Sequence, residues 1–301
     1  MLDKLSRNIM YELFKDGRCS NSAIAKKLGI SVITVSKKIS AMIRDKVISI
    51  KAVPSQIIMG NHVGALIGLN IDIRKIDTIC TQLYNMPNIN IMVSTFGRFD
   101  LFLMVYFPDL TTLENFTKIK LKEIDGIRSV STFLTSDINI NPSLSNQLDL
   151  DKIDWKIITE LMNDGRPNYA TLAKKIGTSK STISRRILSL LDKDVIKIVA
   201  IPNMNLNYLA DALILINVDF SKIDDICNKL SSYPETDLVM KLLNDYDIML
   251  TIRTTDCEEL HKFIANELFY IDGVIQSETF LVANLLYFSA QAMFMYSIEE
   301  C

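Results

Sequence analysis

The 301-residue sequence predicts an α+β chain in which one two-domain unit is written twice, and three observations carry that reading. The first is self-similarity at a fixed offset. Leu2-Asp3-Lys4-Leu5 returns as Leu150-Asp151-Lys152-Ile153, Asp16-Gly17-Arg18 as Asp164-Gly165-Arg166, and Ala25-Lys26-Lys27-Leu28-Gly29 as Ala173-Lys174-Lys175-Ile176-Gly177. About 22 of 53 positions between 2 and 54 are identical 148 residues later, a period too long for a solenoid. The second is a change of hydrophobic period inside each unit, from helical spacing to strand-like runs. The third is charge. The net charge of −2 hides ten Lys/Arg against four acids in residues 1–50 and ten against six in residues 151–200, so the remainder is acidic.

Each element follows in order. In the first copy Leu5, Ile9, Met10 and Leu13 recur at helical spacing, and Asp16-Gly17 ends that helix. Ser20 or Asn21 caps a second helix carrying Ile24, Ala25 and Leu28, which Gly29 terminates. Ser31 caps a third helix running through Arg44, and residues 47–53 are strand-like and suit a wing. From residue 63 the pattern becomes strand 63–70, helix 73–85, strand 89–95, strand 99–107, helix 109–124 and strand 127–135. That order, β-α-β-β-α-β, is a ferredoxin-like split. The second copy repeats it at 211–218, 221–232, 236–242, 246–253, 255–270 and 273–282. The expected domains are winged helix-turn-helix units at 1–54 and 148–202 and ferredoxin-like units at 60–138 and 208–301. The polar stretch 139–147, with Pro142, reads as the linker.

Composition narrows the function classes. No apolar run approaches the ~18 residues of a membrane span, and the N-terminal residues lack a secretory apolar core, so a cytoplasmic protein is expected. The five cysteines are scattered without a Cys-x-x-Cys pair, which argues against a disulfide framework or a zinc site. Cys80 and Cys227 occupy matching helix positions and suit core filling. No Gly-rich phosphate loop, metal-spaced cluster or nucleophile elbow is present, so no cofactor or metal is called for. Two basic blocks separated by acidic ones point to polyanion-binding heads.

The third helix of each head carries the sharpest chemistry. Val35, Ile39, Met42 and Ile43, and likewise Ile183, Ile187, Leu190 and Leu191, are spaced to form the inward stripe. Ser31, Thr34, Ser36, Lys37 and Lys38 in the first copy, and Ser179, Lys180, Ser181, Thr182, Ser184, Arg185 and Arg186 in the second, then face outward. Short hydroxyls near a helix N-terminus let it enter a groove of double-stranded DNA. Lys and Arg half-way along supply phosphate contacts and base readout.

With Asp-Gly-Arg, Ala-Lys-Lys-Leu-Gly-Ile-Ser, Thr-Val-Ser-Lys-Lys-Ile and the Val-Ile strand entry followed by β-α-β-β-α-β, the chain resembles the Lrp/AsnC (feast/famine) transcription regulators twice over. The resemblance implies a sequence-specific DNA-binding regulator whose ferredoxin-like domains pair through their sheets. An amino acid or related small molecule often binds between those domains in the family. Members usually carry one unit and dimerise, so this chain is expected to form an intramolecular pseudo-dimer and to assemble further as a homo-oligomer. The reading helices differ at Val32-Ile33, where the second copy has Lys180-Ser181. Apolar residues there either meet thymine methyls or mark a head with weakened binding. An asymmetric operator is expected, with Arg185 and Arg186 contributing more than Lys37 and Lys38.

The family's Gly-Asp-x-Asp turn becomes Gly97-Arg98-Phe99-Asp100 and Asn244-Asp245-Tyr246-Asp247 here, each keeping only the last acid. Gly97 and Asn244 fit a turn that wants positive φ. Either the turn is only a hairpin, or Asp100 or Asp247 helps hold an effector's amino group. Thr132, Thr135 and Thr279 are pocket candidates or simply strand formers. The apolar tail from Ala283 to Tyr296 has no counterpart in the first copy and is expected as a strand or helix packed in an interface. Two rivals stand beside the regulator. Siroheme decarboxylases share a related domain pair, but the two histidines, His62 and His261, do not match across the repeat. An interaction module that has lost DNA binding is the other.

Overall fold

In the computed structural model, residues 3–56, 58–136, 150–202, 212–254 and 256–289 are described. The first copy runs α1 (Lys4–Lys15), α2 (Asn21–Leu28), α3 (Val32–Arg44), β1 (Ile48–Pro54), β2 (Val63–Ile71), α4 (Ile76–Tyr84), β3 (Ile89–Phe96), β4 (Leu101–Phe107), α5 (Leu110–Asn115), a π-turn at Phe116–Lys120, α6 (Leu121–Glu123) and β5 (Ile127–Thr135). The second runs α7 (Lys152–Asn163), α8 (Tyr169–Ile176), α9 (Lys180–Asp192), β6 (Ile196–Pro202), β7 (Ala212–Val218), α10 (Ile223–Ser231), β8 (Thr236–Asn244), β9 (Tyr246–Ile252), α11 (Cys257–Asn266) and β10 (Val274–Phe288). The four segments assemble pairwise into two compact units, each built from both copies. One holds the two heads and the other the two β-α-β-β-α-β halves. The expected linker 139–147 lies outside the described residues.

Local chemistry explains the heads. Asp3, Ser20 and Ser31 cap α1, α2 and α3, and Asp151, Asn168 and Ser179 cap α7, α8 and α9, each side chain accepting from a first-turn N–H. Such a cap stabilises a helix by ~1 kcal/mol. Gly29 and Gly177 end α2 and α8 in the left-handed region. Val35, Ile39 and Met42 are buried on α3, as are Ile183, Ile187 and Leu190 on α9. Ile43 is 44% exposed and Leu191 only half-buried. Each lies about 80° around the helix from the stripe's first residue, at the margin of the apolar arc.

The expected wing of each head takes a different form, because its strand pairs with the other copy. β1 and β6 form an antiparallel ribbon from Ile48↔Pro202 to Pro54↔Ile196. Lys51 sits opposite Val199, its own repeat counterpart, so the ribbon has the register of a two-fold pair. The Asp-Gly-Arg motif acquires its reason here. The Gly17 N–H donates to the Ile198 carbonyl at 2.7 Å, and the Gly165 N–H donates to the Ile50 carbonyl at 2.9 Å. A Cβ on Gly17 would lie 2.8 Å from the Ile198 carbonyl oxygen and the Val199 Cα, so the opposing strand leaves room only for glycine. Arg166 then donates across the copies to the Gly17 carbonyl at 2.7 Å and the Cys19 carbonyl at 3.1 Å. Its counterpart Arg18 is exposed.

The other unit is a closed eight-stranded barrel in the order β10-β3-β4-β2-β5-β8-β9-β7. Each half keeps the ferredoxin-like order, and helices cover its outer face through Ile79, Leu83, Leu113 and Phe116 in the first copy. Cys80 and Cys227 pack against these outer cores, as expected. The inner face is aromatic: Phe99, Phe102, Phe133 and Phe280 are fully buried, with Phe99 stacked on Phe280 at 5.8 Å. The mirror contact, Tyr246 on Phe133 at 5.7 Å, is edge-on. The apolar tail is a strand as far as Phe288: β10 runs 15 residues and pairs with β3 from Leu281↔Phe96 to Phe288↔Ile91. At the opposite seam Thr135 pairs with Leu242, the counterpart of Val282 with Thr95. Residues 290–296 of the tail lie outside the described residues.

Candidate nucleic-acid interface

The two third helices present an outward row at i, i+4, i+7 and i+11, one face of a helix. In α3 it reads Ile33, Lys37, Ser40 and Arg44, all exposed. In α9 it reads Ser181, Arg185, Leu188 and Asp192, also exposed. Beside the first residue of each row stand Val32 and Lys180, also exposed.

The hydroxyls predicted on this face divide their work. Ser31 caps α3, its Oγ accepting from the Thr34 N–H at 3.0 Å and sharing a hydrogen bond with the Thr34 hydroxyl. Ser179 does the same for Thr182 at 3.1 Å and also meets the Ser181 hydroxyl at 2.8 Å. Thr34, Ser36, Thr182 and Ser184 are half-buried at the edge of the row. The Ser31 and Ser179 caps fix the first turn of each reading helix.

Two of the five predicted cations are instead engaged in ion pairs within the heads. Lys38 is ion-paired with Asp3, the cap of α1. Arg186 binds Asp151 at 2.8 Å and Asp154 at 2.9 Å, and its side chain is only 25% exposed. The hydrogen bond from Lys38 holds the Asp3 carboxyl down at about 2. Asp151 is lowered chiefly by the Asp154 backbone N–H and then by Arg186. A second pair of counterparts works alike: Lys27 reaches Glu12 at 2.9 Å and Lys175 reaches Glu160 at 2.6 Å. In each head, acids of the first helix therefore tie down the second and third. These cations set the angle of the reading helix, and periodicity alone could not separate them from their neighbours Lys37 and Arg185. The paired Asp3/Asp151 and Glu12/Glu160 were the available signal.

The residues predicted for an effector turn serve the barrel. Gly97 has φ 149, and a Cβ there would run into the Phe280 ring at 2.7 Å. Asp100 accepts from the Ile71 N–H and Asp247 from the Val218 N–H, both at 2.8 Å, anchoring the strand ends. The positive φ of the second turn falls on Asp245, not on Asn244 as expected. The Asn244 amide instead bridges the copies, accepting from the Leu134 N–H at 2.8 Å and donating to the Thr132 carbonyl at 2.9 Å. Thr279 is half-buried on β10 opposite Ile214, and Thr135 is buried.

Sequence reasoning missed a polar cluster joining the copies. Arg98 donates to both Glu278 carboxylate oxygens, at 3.1 and 2.9 Å, and to the Tyr246 hydroxyl at 3.0 Å. Tyr246 also hydrogen-bonds Glu278, and burial with that carboxylate pushes its hydroxyl up to about 12. The counterpart positions are Asp245, Ser131 and Phe99, so this cluster exists at one seam and has no equivalent chemistry at the other. No single residue signals it, because Arg98 lies 180 positions from Glu278 and 148 from Tyr246.

Paired heads with exposed, capped third helices define the class: a helix-turn-helix DNA-binding protein whose chain also carries an αβ barrel. Comparison with known proteins agrees. Residues 150–191 match the AsnC-type helix-turn-helix domain and residues 2–49 a winged helix-turn-helix DNA-binding domain. The Lrp/AsnC ligand binding domain is matched twice, at 64–138 and 211–290. The chain belongs to the Lrp/AsnC family of transcription regulators. It is 38% identical over 138 residues to the HTH-type transcriptional regulator FL11 of Pyrococcus furiosus and 37% over 135 residues to that of Pyrococcus horikoshii. Those alignments take in 45% and 44% of this chain but 91% and 89% of the relatives, as a duplicated unit requires. The siroheme decarboxylase NirDL superposes with a TM-score of 0.64 at 14% identity over 96% of both chains, a likeness of fold.

Proposed function

We propose that this chain is a sequence-specific transcription regulator in which one polypeptide supplies both DNA-reading heads. The observation that carries the reading is the β1–β6 ribbon with Lys51 opposite Val199, which joins the heads as a dimer would join two identical subunits. Lys37, Lys180 and Arg185, exposed and without an acidic partner among the described residues, are the cations left to meet phosphates and base edges. The αβ barrel takes the part of the sensor for an amino acid or similar small molecule, and oligomers form by association of whole chains.

The enzyme reading is disfavoured. His62 and His261 are both exposed and unmatched across the repeat. The inner face of the barrel presents the buried, mutually packed rings of Phe99, Phe102, Phe133 and Phe280 and not the histidines a tetrapyrrole site would want. No described helix is long and apolar enough to cross a membrane.

The test is selection of binding sites from random duplex DNA with purified protein, followed by a salt series. An enriched sequence whose affinity falls steeply with salt is expected, with a log–log slope of about −0.9 per phosphate contacted. A slope near zero without enrichment would contradict the proposal.

A further inference from the structure

The two reading helices differ most in their first turn, and the difference is chemical. Val32 is 47% exposed and Ile33 68% exposed, although Val35, the next apolar residue of α3, is buried. They do not belong to the head's core: Val35 and Ile39 already fill that side. They stand directly after the Ser31 cap, and Ile33 heads the same row as Lys37. Their counterparts in α9 are Lys180, beside the row, and Ser181, which heads the row that continues to Arg185.

Resting on the DNA-binding reading above, we propose that the two heads read different bases. The first recognises thymine through Val32 and Ile33 against the C5-methyl group. The second recognises guanine through Arg185 and Lys180. The thymine methyl is the apolar group that the major groove displays, and G O6 and N7 are the acceptors that suit Arg and Lys. A protein partner is the less suitable occupant of the Val32–Ile33 patch. The patch is small, and its surroundings, with Lys37 on the same row and Lys26 exposed in the last turn of α2, are basic. Such a rim favours a polyanion. Both first turns are fixed by the same serine cap on a threonine N–H, so the contrast lies in the side chains presented.

The experiment uses the full chain and a duplex selected by it. In one half-site each thymine is replaced by deoxyuridine, which removes only the methyl group. In the other, each guanine is replaced by 7-deazaguanine, which removes only N7. Deoxyuridine at the contacted position should weaken binding of the natural chain about fourfold per methyl, the scale of one buried methylene. The Ile33→Ser variant should bind more weakly overall and be clearly less sensitive to the same replacement. The 7-deazaguanine duplex should weaken binding about tenfold for the natural chain and little for Arg185→Ala. Unchanged helical content and Tm of Ile33→Ser keep the comparison valid, since its side chain is exposed. Specific, salt-dependent binding that is indifferent to deoxyuridine would overturn the inference while leaving the regulator reading intact. So would loss of methyl sensitivity in Arg185→Ala but not in Ile33→Ser. Absence of specific binding to any duplex would instead remove the regulator reading itself.

Discussion

The two heads share a skeleton and differ in what they present. Both hold the third helix with a serine cap, a cation tied to the first helix's N-terminal acid, and a buried triad of apolar residues. Both tuck a glycine N–H against the other copy's strand. Yet the outward row runs Ile33, Lys37, Ser40, Arg44 in one and Ser181, Arg185, Leu188, Asp192 in the other. The residues that make a head a head have been kept, and the residues that would decide its target have drifted. The barrel repeats the lesson. Its two seams have matching register, but one carries Arg98, Glu278 and Tyr246 while the other is bridged by Asn244. A fused pair is free to diverge in this way, because neither copy needs to be self-complementary.

The largest effect is expected where the copies meet. Gly17→Ala drives a methyl into the Ile198 and Val199 backbone, which should cost about 3 kcal/mol and separate the heads. A clear drop in Tm with loss of DNA binding is the expected result. Gly29→Ala, where a Cβ meets nothing within 4 Å and only the left-handed backbone is strained, should cost about 1 kcal/mol and leave the heads paired. An intermediate effect separates the adjacent arginines. Arg186→Met leaves Asp154 without its cation and should lower stability by about 2 kcal/mol, read by denaturant melts. Arg185→Ala should leave the melt unchanged and weaken DNA binding roughly tenfold. Equal behaviour of the two variants would erase the distinction between a positioning and a reading cation.

The smallest effect is with pH. Asp3 titrates at about 2 in the folded head, below its unfolded value near 4. A lowered pKa means that the carboxylate's contribution is present above about pH 4 and is lost as pH falls toward 2. Comparison of Tm for the natural chain and Lys38→Met across that window should show a difference that closes at the acid end. A difference constant across the window would show that Lys38 acts through packing alone.

Much of this was legible in the sequence, and the exceptions have a common cause. Helix limits, caps and the β-α-β-β-α-β order follow from local patterns such as Ser31 before Thr34, or Gly29 after Leu28. Local signals do not say where a strand finds its partner. Residues 47–53 looked like a wing, and only pairing with β6 explains both the strand and Gly17. Arg186 and Arg185 are neighbours of the same chemistry, and the distinction between them lies in Asp151 and Asp154, more than thirty residues away. Asn244 looked like a turn former, but Asp245 takes the positive φ and frees the amide to hold the other copy.

The central claim is that one chain brings two unlike heads to one site. A footprint of the purified protein on its selected sequence, with the stoichiometry of the complex measured in parallel, tests it most directly. The account predicts two protected half-sites of different sequence, both occupied at one chain per duplex. A perfect palindrome that needs two chains, each contributing the same head, would contradict it.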